Sequence, residues 1–125
     1  MQKGGRTTST RSDASISLQT ISNNQVRVTM QSSILNMIGF QFNIPDISIT
    51  GITGAPEEFT VDWQGRTIVI GYQMNPVEFD YIEVDVTFAG SNNNLCLNDI
   101  TIGDVNGNSI PITNNNTCSF VPRFT

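Results

Sequence analysis

An antiparallel, two-sheet β-sandwich is the fold class that this 125-residue chain predicts, and three observations predict it. From Ala14 onward apolar residues recur at every second position, the period of a strand with one buried and one wet face. Turn-forming residues interrupt these runs roughly every eight to twelve positions, as in sandwiches and barrels. No segment holds the 3.6-residue period of an amphipathic helix over ten residues.

Each run can be read in order. Ile16 and Leu18 alternate with Ser15, Ser17 and Gln19, and the turn residues Asn23 and Asn24 follow. Val26, Val28 and Met30 then alternate with Arg27 and Thr29. Ile38, Phe40, Phe42 and Ile44 share one face while Gln41 and Asn43 point the other way, and Pro45-Asp46 separates this run from Ile47 and Ile49. Phe59, Val61 and Trp63 make the next run, followed by Ile68 and Ile70. In the longest run, residues 79–88, Ile82, Val84, Val86 and Phe88 oppose Glu83, Asp85 and Thr87.

Two turns allow register to be proposed. A two-residue hairpin at Gln64-Gly65 pairs Val61 with Ile68 and Phe59 with Ile70, and sets Trp63 opposite Arg66 as a cation–π pair. A loop of Asn106-Gly107-Asn108 sets Ile102 opposite Ile112 and Cys96 opposite Cys118. That register favours a Cys96–Cys118 disulfide, the alternative being two buried thiols. Leu95 and Leu97 are out of phase with Ile100 and Ile102, so a bulge or break is expected near Asn98-Asp99.

Charge divides the chain unevenly. Lys3, Arg6 and Arg11 fall in the first eleven residues, whereas from Ala14 on three arginines stand against ten carboxylates, a net of −7. Residues 1–13 lack apolar periodicity and are read as a flexible basic arm, with residues 14–125 as the sandwich domain. The arm is expected to contact a neighbouring subunit or to have no role. So acidic a body repels phosphate backbones, and nucleic-acid binding by the fold is not expected. No stretch approaches the ~20 apolar residues of a membrane span, and no signal peptide is read at the N-terminus.

The residue inventory argues against catalysis. The chain has no histidine, and its one lysine, Lys3, lies in the arm, which removes Ser–His and Cys–His pairs and a buried lysine base. Glu57, Glu58, Glu78, Glu83 and Asp85 are candidate hydrolytic carboxylates by type, but acids alternating along a strand read as a solvated face. No cofactor is expected and no catalytic residue is assigned. Asp99, Asp104, Asn106 and Asn108 gather oxygen ligands suited to calcium, against the competing reading that Asp and Asn serve the turn itself. A helical calcium loop would also need a glutamate where Asn115 stands. Asn115-Asn116-Thr117 is a glycosylation sequon of low specificity. Trp63, Tyr72 and Tyr81 are candidates for a sugar-stacking platform, with core or rim packing the competing role for Trp63.

The strands VRVTM and NMIGFQFNI, the ISITGITG step, the long VEFDYIEVDVTF strand and the LCLNDITIGDVNGNSI hairpin together resemble the cohesin-like β-sandwich modules. The pattern spans roughly residues 15–112. The resemblance implies a nine-stranded, jelly-roll-type sandwich used for non-catalytic attachment in extracellular scaffolds, surface layers or virus-encoded surface proteins. The expected function is therefore a structural module working through protein–protein contacts in a virion shell or extracellular layer, as part of an oligomer or larger assembly. The alternative is an adhesion module that binds carbohydrate or a protein partner.

Overall fold

The computed structural model describes residues 13–45, 47–64, 67–89, 94–113 and 117–121. These contain ten strands and no helix: β1 Ala14–Ser22, β2 Gln25–Ser32, β3 Gly39–Asn43, β4 Ser48–Thr53, β5 Thr60–Gln64, β6 Ile68–Tyr72, β7 Tyr81–Ala89, β8 Asn94–Cys96, β9 Asn98–Gly103 and β10 Cys118–Phe120. Two four-stranded antiparallel sheets, ordered β1-β2-β7-β4 and β9-β3-β6-β5, enclose one hydrophobic core, and a β8-β10 ribbon completes the sandwich. The fold class read from the sequence is the one observed, with its first described strand opening at Ala14.

Alternation produces this core directly. In the first sheet Ile16 faces Met30 and Met30 faces Ile82, while Leu18 faces Val28 and Val28 faces Val84. Val26 faces Val86, which in turn faces Ile52. Val26, Val28, Met30, Ile82, Val84 and Val86 have no solvent exposure. Each such side chain contributes about 1.5–3 kcal/mol of transfer free energy, against which conformational entropy is set. The second sheet supplies Phe40, Phe42, Val69 and Ile102, and Phe40 stacks near Phe42 and against Phe59, which in turn meets Phe79.

The β5–β6 hairpin differs from its expected register. Val61 lies opposite Gly71, Asp62 opposite Ile70 and Trp63 opposite Val69, so the Val61–Ile68 and Phe59–Ile70 pairs do not form. The connection spans residues 65–67 instead of two residues, which reverses the face on which β6 presents its side chains. The reason lies in Phe40. Gly71 is opposite Phe40, and a Cβ built on Gly71 would collide with the Phe40 ring. Gly71 must therefore face inward, which turns Val69 into the core and Ile68 and Ile70 outward. Trp63 packs partly buried against the core, opposite Val69 and not Arg66, which lies outside the described residues.

The second proposed register is corrected at its turn and correct at its cysteines. Asp104 N–H donates to Asn108 O at 2.9 Å and Ile110 N–H to Ile102 O at 2.7 Å, so Ile102 faces Ile110. Ile112 instead bridges Ala14 in parallel. The turn is one residue earlier than expected because the Asp104 carboxylate organises it: Oδ1 accepts from Asn106 N and Asn108 N, each at 2.9 Å. Further along, Cys118 pairs with Cys96 and the two form a disulfide. The register shift expected near Asn98-Asp99 lies between Asn98 and Thr101, where Asp99 takes a left-handed φ of 53°.

Register also defines two ends. The β1–β2 turn at Asn23-Asn24 marks one end. Ala14, Ser32 and Tyr81 lie at the other, which residues 33–38 cross to reach Gly39 of the second sheet. Ile38 N–H donates to Gly103 O at 3.0 Å, so the Asp104–Asn108 turn shares this Tyr81 end.

Candidate functional site

On the outer face of the first sheet, polar residues from β1, β2 and β7 line up in cross-strand rows. Ser15, Gln31 and Tyr81 form the row nearest the Tyr81 end, Ser17, Thr29 and Glu83 the next, and Gln19, Arg27 and Asp85 the third. Arg27 grips Asp85 with two bonds, Nε to Oδ1 at 2.8 Å and Nη2 to Oδ2 at 3.2 Å. Its Nε is also 3.6 Å from Glu83 Oε1. Tyr81 Oη donates to Glu83 Oε2 at 2.8 Å.

These contacts make a chain from Asp85 through Arg27 and Glu83 to the phenol ring. Hydrogen bonding to Asp85, and then its charge, hold the Arg27 guanidinium above its ordinary pKa. Hydrogen bonding to Glu83 is the chief cause raising the Tyr81 phenol above its ordinary value near 10. The chain is only partly buried, so its value lies in orientation more than in stability. It tethers the hydroxyl of Tyr81, a residue that remains 45% exposed.

An open groove of about 610 Å³ begins at the Ser15–Gln31–Tyr81 row. Its walls add Asp13, Asp80 and Thr113, with Ser32 and Ser33 between. The backbone fixes several of these positions. Ser32 N–H donates to Asp80 O at 2.9 Å, and Thr113 N–H donates to Ala14 O at 2.8 Å. Apart from Ala14 and the Tyr81 ring, the groove residues offer hydroxyl, amide and carboxylate groups.

The loops at this end carry a second feature. Of the nine large hydrophobic side chains exposed among the described residues, seven lie at the Tyr81 end. Ile34 and Leu35 belong to the β2–β3 loop, Met74 and Val77 to the β6–β7 loop, and Val105 to the Asp104–Asn108 turn. Tyr72 and Tyr81 flank them at strand ends. The β6–β7 loop is braced by Gln73, whose Nε2 donates to Ile38 O at 3.1 Å and to Val77 O at 2.9 Å. Its Oε1 accepts from Val77 N at 2.9 Å. The opposite end exposes only Ile21 and Phe120 of this set.

The candidate residues fall in several places. Trp63, Tyr72 and Tyr81 do not form one platform: Trp63 is on the inner face of the second sheet, Tyr72 is opposite Thr60 on that sheet's outer face, and Tyr81 is on the other sheet. Asp99 and Asp104 stand at opposite ends of β9, roughly 15 Å apart along an extended strand. Within its own turn Asp104 Oδ1 accepts from the backbone N–H groups of Asn106 and Asn108, while Asp99 stands apart from these three. Among the described residues no group of three or more His, Cys, Asp or Glu could hold a metal. Glu83 and Asp85 flank Arg27, while Glu57 and Glu58 are exposed in the β4–β5 loop. The arm's residues 1–12 and the sequon asparagines Asn115 and Asn116 lie outside the described residues. Asp80, Gln31 and Ser15 escaped the sequence reading, since only register with Tyr81 brings them together.

No protein-family model matches the chain. No curated protein matches it. Among solved structures, the chitin-binding domain of a hyperthermophilic chitinase from Pyrococcus furiosus is similar at 12% identity and a TM-score of 0.47, over 85% of this chain and 100% of that one. The collagen-binding domain of a Staphylococcus aureus adhesin is similar at 7% identity and a TM-score of 0.45, over 86% of this chain and 100% of that one. At such identities and scores neither likeness bears on what this chain binds.

Proposed function

We propose that this chain is a non-catalytic attachment module that engages its partner through the Tyr81 end of the sandwich. The observation that carries the proposal is that seven of the nine large hydrophobic side chains exposed among the described residues lie at that end, which also holds an open polar groove. Scattered single apolar residues need no explanation, whereas their concentration at one pole marks an interaction surface. The scaffold suits the role, because register-locked strands present the loops and Gln73 braces one of them. The cohesin-like pattern supports the same attachment role. The Cys96–Cys118 disulfide favours an oxidising setting, extracellular or at a cell surface.

The test compares two double variants on an array of purified polysaccharides and extracellular-matrix proteins. Leu35→Ser/Met74→Ser alters the Tyr81 end, and Ile21→Ser/Phe120→Ser alters the opposite end. The proposal expects retention of the unaltered chain by at least one class, loss with the first variant and retention with the second. Retention by no class, or the reverse pattern of loss, overturns it.

A further inference from the structure

We infer that the groove beside Tyr81 is a subsite for a neutral, polyhydroxylated glycan, with the Tyr81 ring as its stacking surface. The inference rests on the attachment reading above and adds to it the ligand's chemical class and the residues that would meet it. A pyranose ring has an apolar C–H face and a rim of hydroxyls that both donate and accept. A matching site therefore needs an accessible aromatic face held in one orientation, beside mixed donors and acceptors.

Tyr81 meets the first requirement. The residue is 45% exposed, and its hydroxyl is tied to Glu83, which is held in turn by Arg27. Such a ring loses little freedom when a ligand stacks on it, which lowers the cost of binding. The second requirement is met by register. Gln31 is directly opposite Tyr81 and Ser15 directly opposite Gln31, placing an amide and a hydroxyl beside the ring. Asp80 precedes the ring in sequence, and Asp13 and Thr113 line the far wall. Carboxylates accept hydrogen bonds from sugar hydroxyls, and the serine and threonine hydroxyls serve either role.

Charge and size narrow the class. Arg27 is the one basic side chain among the described residues, and it is committed to Asp85 and Glu83. The Asp80 carboxylate in the wall disfavours sulfated or uronic-acid glycans. A volume of about 610 Å³ lies inside the roughly 300–1,000 Å³ range of small-ligand clefts. A peptide partner would look for desolvated apolar pockets to receive aromatic or aliphatic anchors. This groove has only Ala14 and the Tyr81 ring to give them.

Affinity electrophoresis in native gels tests the inference, with gels containing β-glucan, mannan or glycol chitin as neutral probes and alginate or heparin as anionic ones. The expected result is retardation by at least one neutral polysaccharide and by neither anionic one. Tyr81→Ala should weaken that retardation about tenfold, the scale of one lost aromatic contact. Tyr81→Phe, which keeps the ring and loses the Glu83 tether, should weaken it about two- to threefold. Circular dichroism of each variant confirms that the sandwich is retained. The inference is overturned if no neutral polysaccharide retards the chain, if the anionic ones retard it more, or if Tyr81→Ala behaves as the parent does. Should Leu35→Ser/Met74→Ser abolish capture on arrayed protein while Tyr81→Ala changes nothing, the attachment reading stands and the glycan assignment falls.

Discussion

Replacing Cys96 and Cys118 together with serine isolates the contribution of the one covalent link that ties β8 to β10. The link closes a loop of sequence separation 22. In the chain-entropy treatment such a closure removes about 11 cal/mol/K from the unfolded ensemble, or about 3 kcal/mol at 25 °C. Cys96 is half-buried and Cys118 exposed, so serine at either position creates little cavity cost to confuse the measurement. Leu95, Leu97 and Val121 remain buried, and Leu97 N–H still donates to Thr117 O at 2.7 Å, so the ribbon should persist in the folded variant. Urea unfolding followed by far-UV circular dichroism should therefore show a loss of about 3 kcal/mol, corresponding to a Tm lower by roughly 10 °C for a domain of this size. The unaltered chain unfolded in reductant should reproduce that loss. A deficit below about 1 kcal/mol, or a difference between reduced parent and double variant, would refute the unfolded-state explanation.

Three further outcomes follow from single residues. Gly71→Ala drives a Cβ into the buried Phe40 ring and should destabilise by about 1–3 kcal/mol in the same urea assay, with solvent-facing Ile70→Thr as the milder comparison. Asp104→Ala removes the acceptor for Asn106 and Asn108 N–H and should cost about 1 kcal/mol in calcium-free buffer, with no change in parent stability on adding calcium or chelator. The Tyr81 phenol, followed by absorbance in a Tyr72→Phe background, should titrate above the ordinary value near 10, and Glu83→Gln should lower its midpoint. Since the folded-state value is the raised one, whatever the tether contributes is present below pH 10 and is lost as pH rises through the folded midpoint. A midpoint unmoved by Glu83→Gln would contradict the tether.

Legibility of the fold in the sequence followed how strongly each segment committed its faces. The 81–89 strand could be read because Ile82, Val84, Val86 and Phe88 alternate with charged or polar residues, leaving one possible face. The β6 strand could not, because Ile68, Val69 and Ile70 are all β-branched and apolar, so either face satisfied the pattern. What decided it was the Phe40 ring over Gly71, a contact between strands 31 residues apart that no local pattern reports. The cysteine pair was legible from turn counting even though the turn itself was misplaced by one residue. The pairing at the turn (Gly103 with Ser109) and the pairing at the cysteines (Cys96 with Cys118) are separate stretches with different registers, so an error at Ile102 did not reach Cys96.

The site was less legible for a different reason. Its groove joins Asp13 and Ser15 with Gln31–Ser33, Asp80–Tyr81 and Thr113, four separate segments united only by sheet order. The sequence singled out Tyr81 by its aromatic type, but grouped it with Trp63 and Tyr72, which the topology sends to the other sheet. Exposed Leu35 and Met74 sit in two separate loops, and only the strand order brings both loops to the same end of the sandwich.

The most direct test of the account is backbone amide chemical-shift mapping with whichever arrayed polysaccharide or matrix protein retains the chain. Binding through the Tyr81 end predicts shifts concentrated at Ser15, Gln31, Ser33, Leu35, Asp80 and Tyr81, with Ile21, Asn24 and Phe120 unchanged. Shifts confined to the Asn23-Asn24 end, or to the outer face of the second sheet around Ile68 and Ile70, would contradict it.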